Sequence, residues 1–524
     1  MLSLNLPRRF NAAEYFVDRN VEKGRGDDPA ILFENRTYTY RQVQENVNRA
    51  AHMLSNLGLE MENRVIILLR DSPAVIFSFF GAIKLGAVPV PTNILMKAPD
   101  FLHVLNDSRA KVLIVDALLL PEVEKILNQT EFLKKIVVVG DVPDHRHLDY
   151  NDLMAQAAVF FPAARTTPDD VAFWLYSGRN PETLMAAVHH HSHMVYCAEG
   201  YGKQVLGMTA KDRVMGVFLF FAYGLGNSVY LPFSVGASTV LSRKRPLPEL
   251  IYQDLVDYRP TLFFSVPTLL EALSDYKQKS RAEGKELPPA DSLRATISSA
   301  ELLSSDVYHR FKSEFGVDIL DGTGSTEICH IFLSNRMGDV KPGSTGKPVP
   351  GFDMKLLDDD GQPVGPGEIG NLRVRGGSIA SAYWNRRRAT KENMRGDWFV
   401  TGDRYMMDTD GYYYFKGRSD DMLRVGGKWL SPVEVETALN AHPTVAESAV
   451  VGYRDEKGLQ TPYAFIVLLP GNTPSEPLGD DIKAFVKDRI APYKYPRRIA
   501  FVTSLPKTTG GRIKRFELKP KVSH

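Results

Sequence analysis

Short apolar runs alternate with helix-spaced segments through the first half of the chain, and that alternation restricts the fold more than any other feature. Tyr40 to Leu57 carries apolar residues at helical spacing, at Val43, Val47, Ala50, Met53, Leu54 and Leu57. Arg64 to Leu69 is a short apolar run, Pro73 to Leu85 reads as a helix, and Gly86 to Pro91 reads as the strand that follows it. Ala110 to Val115 and Lys135 to Val139 are further buried-strand candidates, and similar runs recur at Thr261 to Val266 and Thr296 to Ser299. Strands that alternate with helices build parallel sheets covered by helices, so the expected class is α/β in layered subdomains.

After Pro342 the texture changes. Gly343, Gly346, Gly351, the Asp358–Gly361 turn and Gly365-Pro366-Gly367 punctuate short segments such as Asn371 to Arg375, which reads as a β-rich subdomain with tight turns. A second shift follows Arg418. Pro432 to Leu439 and Asp480 to Arg489 read as helices, Ser448 to Val451 and Ala464 to Leu468 as strands, and Pro470 to Asp481 as a surface loop. The expected division is an N-terminal domain over 1–419 and a small, mobile α+β domain over 420–524, with a hinge between them.

The 524 residues suffice for two or more domains with large cores. A hydrophobic content of 44% and a charged content of 24% fit a soluble globular protein. The net charge of +2 gives no global field to draw the chain to nucleic acid or to a membrane. The two cysteines, Cys197 and Cys329, cannot form a disulfide framework and suit a reducing compartment. No export signal and no run long enough for a membrane helix is apparent, so a cytoplasmic enzyme is expected.

Three strings carry candidate chemistry. In Asp321-Gly322-Thr323-Gly324-Ser325-Thr326-Glu327, the glycines allow a tight turn and close approach to a ligand, Thr326 offers a hydroxyl to a phosphate, and Glu327 is a hard oxygen ligand suited to Mg²⁺. Alone, this string also reads as a strand-to-loop turn. In Thr401-Gly402-Asp403 the carboxylate can accept two hydrogen bonds from a ribose diol, and the guanidinium of Arg418 can bridge ribose and phosphate oxygens. A lone Thr-Gly-Asp is also a common β-turn. Gly426-Gly427 reads as a hairpin turn.

Together and in this order, with Gly417-Arg418-Ser419-Asp420-Asp421 and Pro506-Lys507-Thr508, these segments resemble the acyl-adenylate-forming family of acyl-CoA synthetases, luciferases and peptide-synthetase adenylation domains. The resemblance runs from Tyr38-Thr39-Tyr40 to Arg515. It is strongest to benzoate-type CoA ligases, through Asp321–Glu327 and the following Ile328-Cys329-His330-Ile331-Phe332. It implies that Gly322, Thr323, Gly324, Ser325, Ala300 and Glu301 face the nucleotide, that Thr326 meets the acyl-phosphate, and that Glu327 meets magnesium. It further implies that Asp403 and Arg418 grip the ribose of ATP and that Asp420 is the hinge. Gly426 and Gly427 would pack beside the pantetheine arm of coenzyme A. Ala222, Tyr223, Gly224, His330 and Ile331 match the acid pocket, a flat slot suited to an aromatic or alicyclic acid. Phe220 and Phe221 are better read as core.

Several positions depart from the family pattern. The phosphate loop should be rich in glycine, serine and threonine with one lysine, but the chain reads Tyr176-Ser177-Gly178-Arg179-Asn180-Pro181-Glu182-Thr183-Leu184-Met185 before His189. The spacing from Tyr176 to His189 is kept, Met185 stands in place of the lysine, and Glu182 adds negative charge near a polyanion. Two compensating frame shifts would leave the same trace. Ser298-Ser299-Ala300-Glu301 lacks the family's glycine. The segment before Leu219 lacks a lysine, and Arg512 replaces the lysine that activates the acid, which changes donor geometry at constant charge.

His189, His190, His191 and His193 invite a metal reading, but neighbours on a strand point to opposite faces and cannot all reach one ion. Arg243-Lys244-Arg245 and Arg386-Arg387-Arg388 read as solvated faces. The expected activity is an AMP-forming acid–CoA ligase with ATP, Mg²⁺ and coenzyme A, in which Glu327, Thr326 and Arg512 act on the reaction. A homodimer stays open. The competing readings are a non-catalytic acyl-adenylate or CoA binder, a protein competent only in thioester formation, and an adenylating enzyme with another acceptor.

Overall fold

The computed structural model describes residues 2–141, 146–178, 183–216, 218–425, 428–454, 460–491, 494–507 and 513–518. By packing, the chain forms two compact units, Met1–Asp353 with Val374–Phe399, and Met354–Arg373 with Val400–His524. The β-rich segment and the C-terminal α+β segment therefore largely share one packing unit, whereas composition places the change at 419/420. Composition registers turn density and cannot register which surfaces pack.

The first unit holds two large sheets. One has five parallel strands in the order Val88–Pro91, Arg64–Leu68, Val112–Asp116, Lys135–Val139 and Leu148–Asp149. The other has nine strands with a parallel centre, in which Ala295–Ser298 lies between Leu262–Ser265 and Ile319–Gly324. One antiparallel end is formed by Ile331–Ser334 and Lys347–Pro348, the other by Pro29–Phe33 and Arg36–Thr39. A separate antiparallel hairpin pairs Val171–Ser177 with Met185–His190.

Local chemistry sets the helix ends. Pro73 occupies the first turn of the Pro73–Leu85 helix, and Gly86 closes it in a left-handed conformation with φ 82°. Thr39 and Gln42 form a reciprocal capping box at the start of Tyr40–Asn56. These two helices cross closely, because a Cβ on Gly81 would lie 2.6 Å from Ala50 Cβ. Lys84 is buried at this crossing with its ammonium 2.8 Å from Asp18 and 2.5 Å from Asn48. Phe79 and Phe80 are fully buried beside it, each contributing roughly 1.5–3 kcal/mol through burial.

In the second unit, Tyr413–Arg418 pairs antiparallel with Asp403–Met407. A three-stranded sheet follows, Val445–Arg454, Gln460–Leu468 and Arg498–Phe501, with Pro432–Asn440 and Glu476–Lys487 as its helices. Leu430, Val435, Leu439, Val450, Ile466, Ile482 and Val486 form its core. Pro470 to Asp481 is only partly a loop. Ser475 caps a helix that already begins at Glu476, its side chain accepting from Leu478 N, so the six residues Glu476–Asp481 are helical. No helix among the described residues is long and apolar enough to cross a membrane.

Candidate active site

Asp321–Glu327 begins as a strand and ends as a single tight turn. Gly322 and Gly324 lie in the Ile319–Gly324 strand against Ile331–Ser334. A Cβ on Gly322 would come within 2.8 Å of Leu333 O, and one on Gly324 within 2.7 Å of His330 O. Their smallness is thus demanded by the neighbouring strand's backbone, not by a turn. Thr323, Ser325 and Thr326 are half-buried, and the Ser325 hydroxyl oxygen is buried without a hydrogen-bond partner among the described residues. The Thr326 carbonyl accepts from His189 Nε2 at 2.8 Å.

Glu327 is 8% exposed, and its Oε1 accepts from the Tyr383 hydroxyl at 2.9 Å. Among the described residues no lysine or arginine forms an ion pair with it. A buried carboxylate with one neutral partner is short of positive charge. It supplies the single hard oxygen ligand that Mg²⁺ commonly takes from a protein when phosphates and water complete its shell, so the residues present fit that ion.

Ala300 stands where the family pattern places glycine, and its φ is +77°. A Cβ in this region costs about 1–2 kcal/mol. Ala300→Gly is therefore expected to raise unfolding stability by about 0.5–1 kcal/mol after the added freedom of the unfolded chain is subtracted. Urea denaturation checks this, and an unchanged midpoint would mean the strain is relieved elsewhere. Glu301 caps the Pro267–Ala282 helix, accepting from Thr268 N at 3.1 Å and Thr268 Oγ1 at 2.6 Å. A carboxylate there also opposes the positive end of the helix.

The altered loop hangs from the antiparallel hairpin. Tyr176 pairs with Ala186 and Ser177 with Met185. The Tyr176 hydroxyl donates to Asp107 at 2.8 Å. Gly178 has φ 144°, and a Cβ there would lie 2.4 Å from Thr183 O. Arg179, Asn180, Pro181 and Glu182 lie outside the described residues.

The acid-pocket candidates divide between two elements that meet. Ala222, Tyr223 and Gly224 lie on the short Ala222–Leu225 helix, and His330 and Ile331 lie at the start of the antiparallel edge strand. The rings of Tyr223 and His330 are 6.1 Å apart and nearly parallel at 29°. Tyr223 reaches the carbonyls of Ser265 and Ile297 at 3.2 Å each. His330 is 2% exposed, and burial pushes its imidazole down to about 3, so it is neutral and Nε2–H donates to Asn227 Oδ1 at 2.9 Å. Gly226 makes room for it, since a Cβ there would fall 2.2 Å from His330 Cδ2. Phe220 is core, as expected, whereas Phe221 is only half-buried. Asn227, outside the matched pocket positions, helps to orient His330 through this hydrogen bond, and only the fold brings the two together.

The histidines make no shared ion site. His189 and His190 end a strand, and His191 and His193 begin a helix. The Thr326 carbonyl can only accept, so His189 donates from Nε2. Its Nδ1 then accepts from His193 Nδ1 at 3.1 Å. Burial pushes His189 and His191 down to about 4 and His193 well below the usual range. With His330, four imidazoles are neutral in the folded state but titrate near 6.5 when unfolded. Their contribution to stability is complete above about pH 6.5 and is lost as pH falls toward 4. Burial raises Asp71, to about 6, together with Asp321 and Glu14, which work in the opposite sense. With four groups against three, the urea midpoint should fall from pH 7 to pH 5. A flat profile would show that these imidazoles are hydrated.

In the second unit, Asp403 lies directly opposite Arg418 across two strands, with Arg418 Nη1 2.8 Å from Asp403 Oδ1. The same nitrogen donates to Thr401 O at 2.9 Å, and Arg418 Nε is buried without a partner among the described residues. Gly402 has φ +72°, and a Cβ there would meet Arg418 Nη2 at 2.7 Å, so glycine is needed to seat the guanidinium. Asp420 is exposed in the turn where Asp421 N and Met422 N both reach Arg418 O. Arg515 anchors this region to Glu436 at 2.6 Å. Gly426, Gly427 and Arg512 lie outside the described residues.

The model of AMP-binding enzymes matches residues 17–384, and that of the AMP-binding enzyme C-terminal domain matches residues 434–512. The chain belongs to the AMP-binding enzyme family. It is 43% identical over 520 residues to the benzoate–CoA ligase of Thauera aromatica, covering 99% of this chain and 97% of that one. To the 4-hydroxybenzoate–CoA/benzoate–CoA ligase of Rhodopseudomonas palustris it is 40% identical over 515 residues, covering 98% and 94%. Its fold is similar to the anthranilate CoA ligase AuaEII in complex with anthranoyl-AMP, with TM-score 0.93 and 39% identity over 100% of this chain and 99% of that one. A benzoate CoA ligase from Burkholderia xenovorans LB400 gives TM-score 0.88 at 40% identity, covering 97% and 100%.

Proposed function

We propose that the protein joins an aromatic carboxylic acid to coenzyme A at the expense of ATP. The acid's carboxylate oxygen attacks the α-phosphorus, the bond to pyrophosphate breaks, and an acyl-adenylate forms. The thiol sulfur of coenzyme A then attacks the acyl carbon, AMP leaves, and the thiol proton is released. The observation that carries this reading is the buried, uncompensated carboxylate of Glu327 three residues before His330, whose ring faces Tyr223.

In-line displacement at phosphorus depends on positioning and charge neutralisation. Magnesium, when bound, would neutralise phosphate charge as pyrophosphate departs. We assign Glu327 to hold that ion, Thr326 to the phosphate, and Arg512 to the acid's carboxylate during adenylation. Asp403 and Arg418 take the ribose, and Gly322, Thr323, Gly324, Ser325, Ala300 and Glu301 border the nucleotide. Ala222, Tyr223, Gly224, His330 and Ile331 line the aromatic slot, where a neutral His330 adds no charge to compete with the carboxylate. Asp420 serves as the hinge of residues 420–524, and Gly426 with Gly427 accommodates the pantetheine arm. Two free, buried thiols suit a cytoplasmic setting.

Near-full-length likeness to ligases weighs against a purely binding role. The test is pyrophosphate release with ATP, Mg²⁺ and a panel of benzoate, hydroxybenzoates, aminobenzoates and alicyclic acids, with and without coenzyme A. Release that depends on an aromatic acid, with its thioester formed, supports the reading. Thioester formation from supplied acyl-AMP alone would leave only the second half-reaction.

A further inference from the structure

Ser378 to Arg386 connects two parts of the first unit that lie far apart in the chain. At one end it holds the Thr326–Ile328 turn. Ser378 Oγ donates to Ile328 O at 2.8 Å, Ala380 N donates to Glu327 O at 2.7 Å, and the Tyr383 hydroxyl donates to Glu327 Oε1 at 2.9 Å. Along its length it is laced to the Met185–His190 strand. Ser381 N reaches Val188 O at 3.1 Å, Val188 N reaches Ala382 O at 3.0 Å, and Trp384 N reaches Ala186 O at 2.9 Å. At the other end, Trp384 Nε1 donates to Asp107 O at 2.9 Å and Arg386 pairs with Asp107 at 3.2 Å. Asp107 is also the acceptor of Tyr176, at the foot of the altered loop.

We propose that Tyr383 is a positioning residue for the magnesium-facing carboxylate, and that Ser378–Arg386 is the brace that fixes this carboxylate relative to the base of the phosphate-loop hairpin. The inference rests on the reading of Glu327 as the ligand that faces magnesium. Tyr383 is 5% exposed and packs with Ala187 and Ala380, so its ring cannot follow a moving carboxylate. Its hydroxyl occupies Oε1, which would leave Oε2 for the cation. Outer partners that orient a metal-ligating carboxylate typically change metal affinity by about 10–100-fold. The loop keeps a single glycine, Gly178, and has no lysine, so a fixed carboxylate takes a larger share of holding the metal–triphosphate complex.

The experiment measures Mn²⁺ binding by paramagnetic resonance in the presence of ATP, with thermal unfolding, for the parent protein, Tyr383→Phe, Ser378→Ala and Glu327→Gln. Mn²⁺ shares the preference of magnesium for carboxylate, carbonyl and water oxygens. Tyr383→Phe should weaken Mn²⁺–ATP binding about 10-fold and raise KM for Mg–ATP while leaving KM for the acid unchanged. Ser378→Ala removes a bond of the same brace without touching the carboxylate, and should lower the melting temperature while sparing Mn²⁺ affinity. Equal affinity in parent and Tyr383→Phe, with Glu327→Gln impaired, would overturn the role of Tyr383 alone. Equal weakening by Ser378→Ala would reduce Tyr383 to general support and likewise overturn it. Unchanged affinity in Glu327→Gln would overturn the assignment of Glu327 itself.

Discussion

Glu327→Gln is expected to slow acyl-adenylate formation by about 10²–10³-fold, the range found when one preorganised electrostatic contact to a reacting centre is removed. The substitution is nearly isosteric and keeps an oxygen to accept from Tyr383, so the turn at Thr326–Ile328 should hold its shape. What disappears is one negative charge in a site 8% exposed, where no cation of the described residues balances it. Removing an uncompensated buried charge should leave the melting temperature unchanged or raise it. The second half-reaction displaces AMP and separates no pyrophosphate, so thioester formation from supplied acyl-AMP should be nearly unaffected. Rapid-quench measurement of pyrophosphate, beside thioester formation from acyl-AMP, separates the two. Equal slowing of both would mean that Glu327 is structural.

Asp403→Ala is expected to raise KM for ATP by about 10–100-fold, matching the roughly 1.5–3 kcal/mol of hydrogen bonds to a charged group. The local backbone is built to present this carboxylate. Thr401 Oγ1 accepts from Asp403 N at 3.1 Å and donates to Leu372 O at 3.0 Å, and Gly402 turns the chain through φ +72°. Arg418 would keep only the Thr401 carbonyl among the contacts described for Nη1. Because the pair is partly exposed, at 31% and 19%, its loss should cost little folding stability. The effect should therefore appear in KM for ATP, with KM for the acid and the melting temperature nearly constant. An unchanged KM for ATP would remove Asp403 from the ribose.

The legible parts of the fold are those governed by local chemistry. Pro73–Leu85 reads correctly to the residue because Pro73 opens it and Gly86 closes it, and the strands at Lys135–Val139 and Arg64–Leu68 stand out as apolar runs between breakers. The helix read from Asp480 begins earlier, at Glu476, where Ser475 caps it and acidic and proline residues form its first turn, a start that Gly479 and the flanking prolines obscure. The strings that carry the site are equally visible, and Tyr223 beside His330 follows from matching them to a family. What no local pattern contains is the partner of Glu327. Tyr383 lies 56 residues downstream and His189 lies 137 residues before Thr326, so only folding brings those hydrogen bonds together. The tight turn expected at Gly322 and Gly324 is instead strand for the same reason, because the carbonyls that forbid a Cβ belong to another strand.

The hairpin of Val171–Ser177 and Met185–His190 has an evolutionary consequence. Its register is set by six residue pairs and by attachments to Asp107, Ala382 and Trp384, all outside its tip. On the reading proposed above, mutations at the tip would change nucleotide affinity without registering as misfolding, and selection for a folded protein alone would not purge them. Such a segment behaves as a replaceable cassette, open to drift in a lineage and to transplantation in the laboratory, while the frame that receives it stays the same.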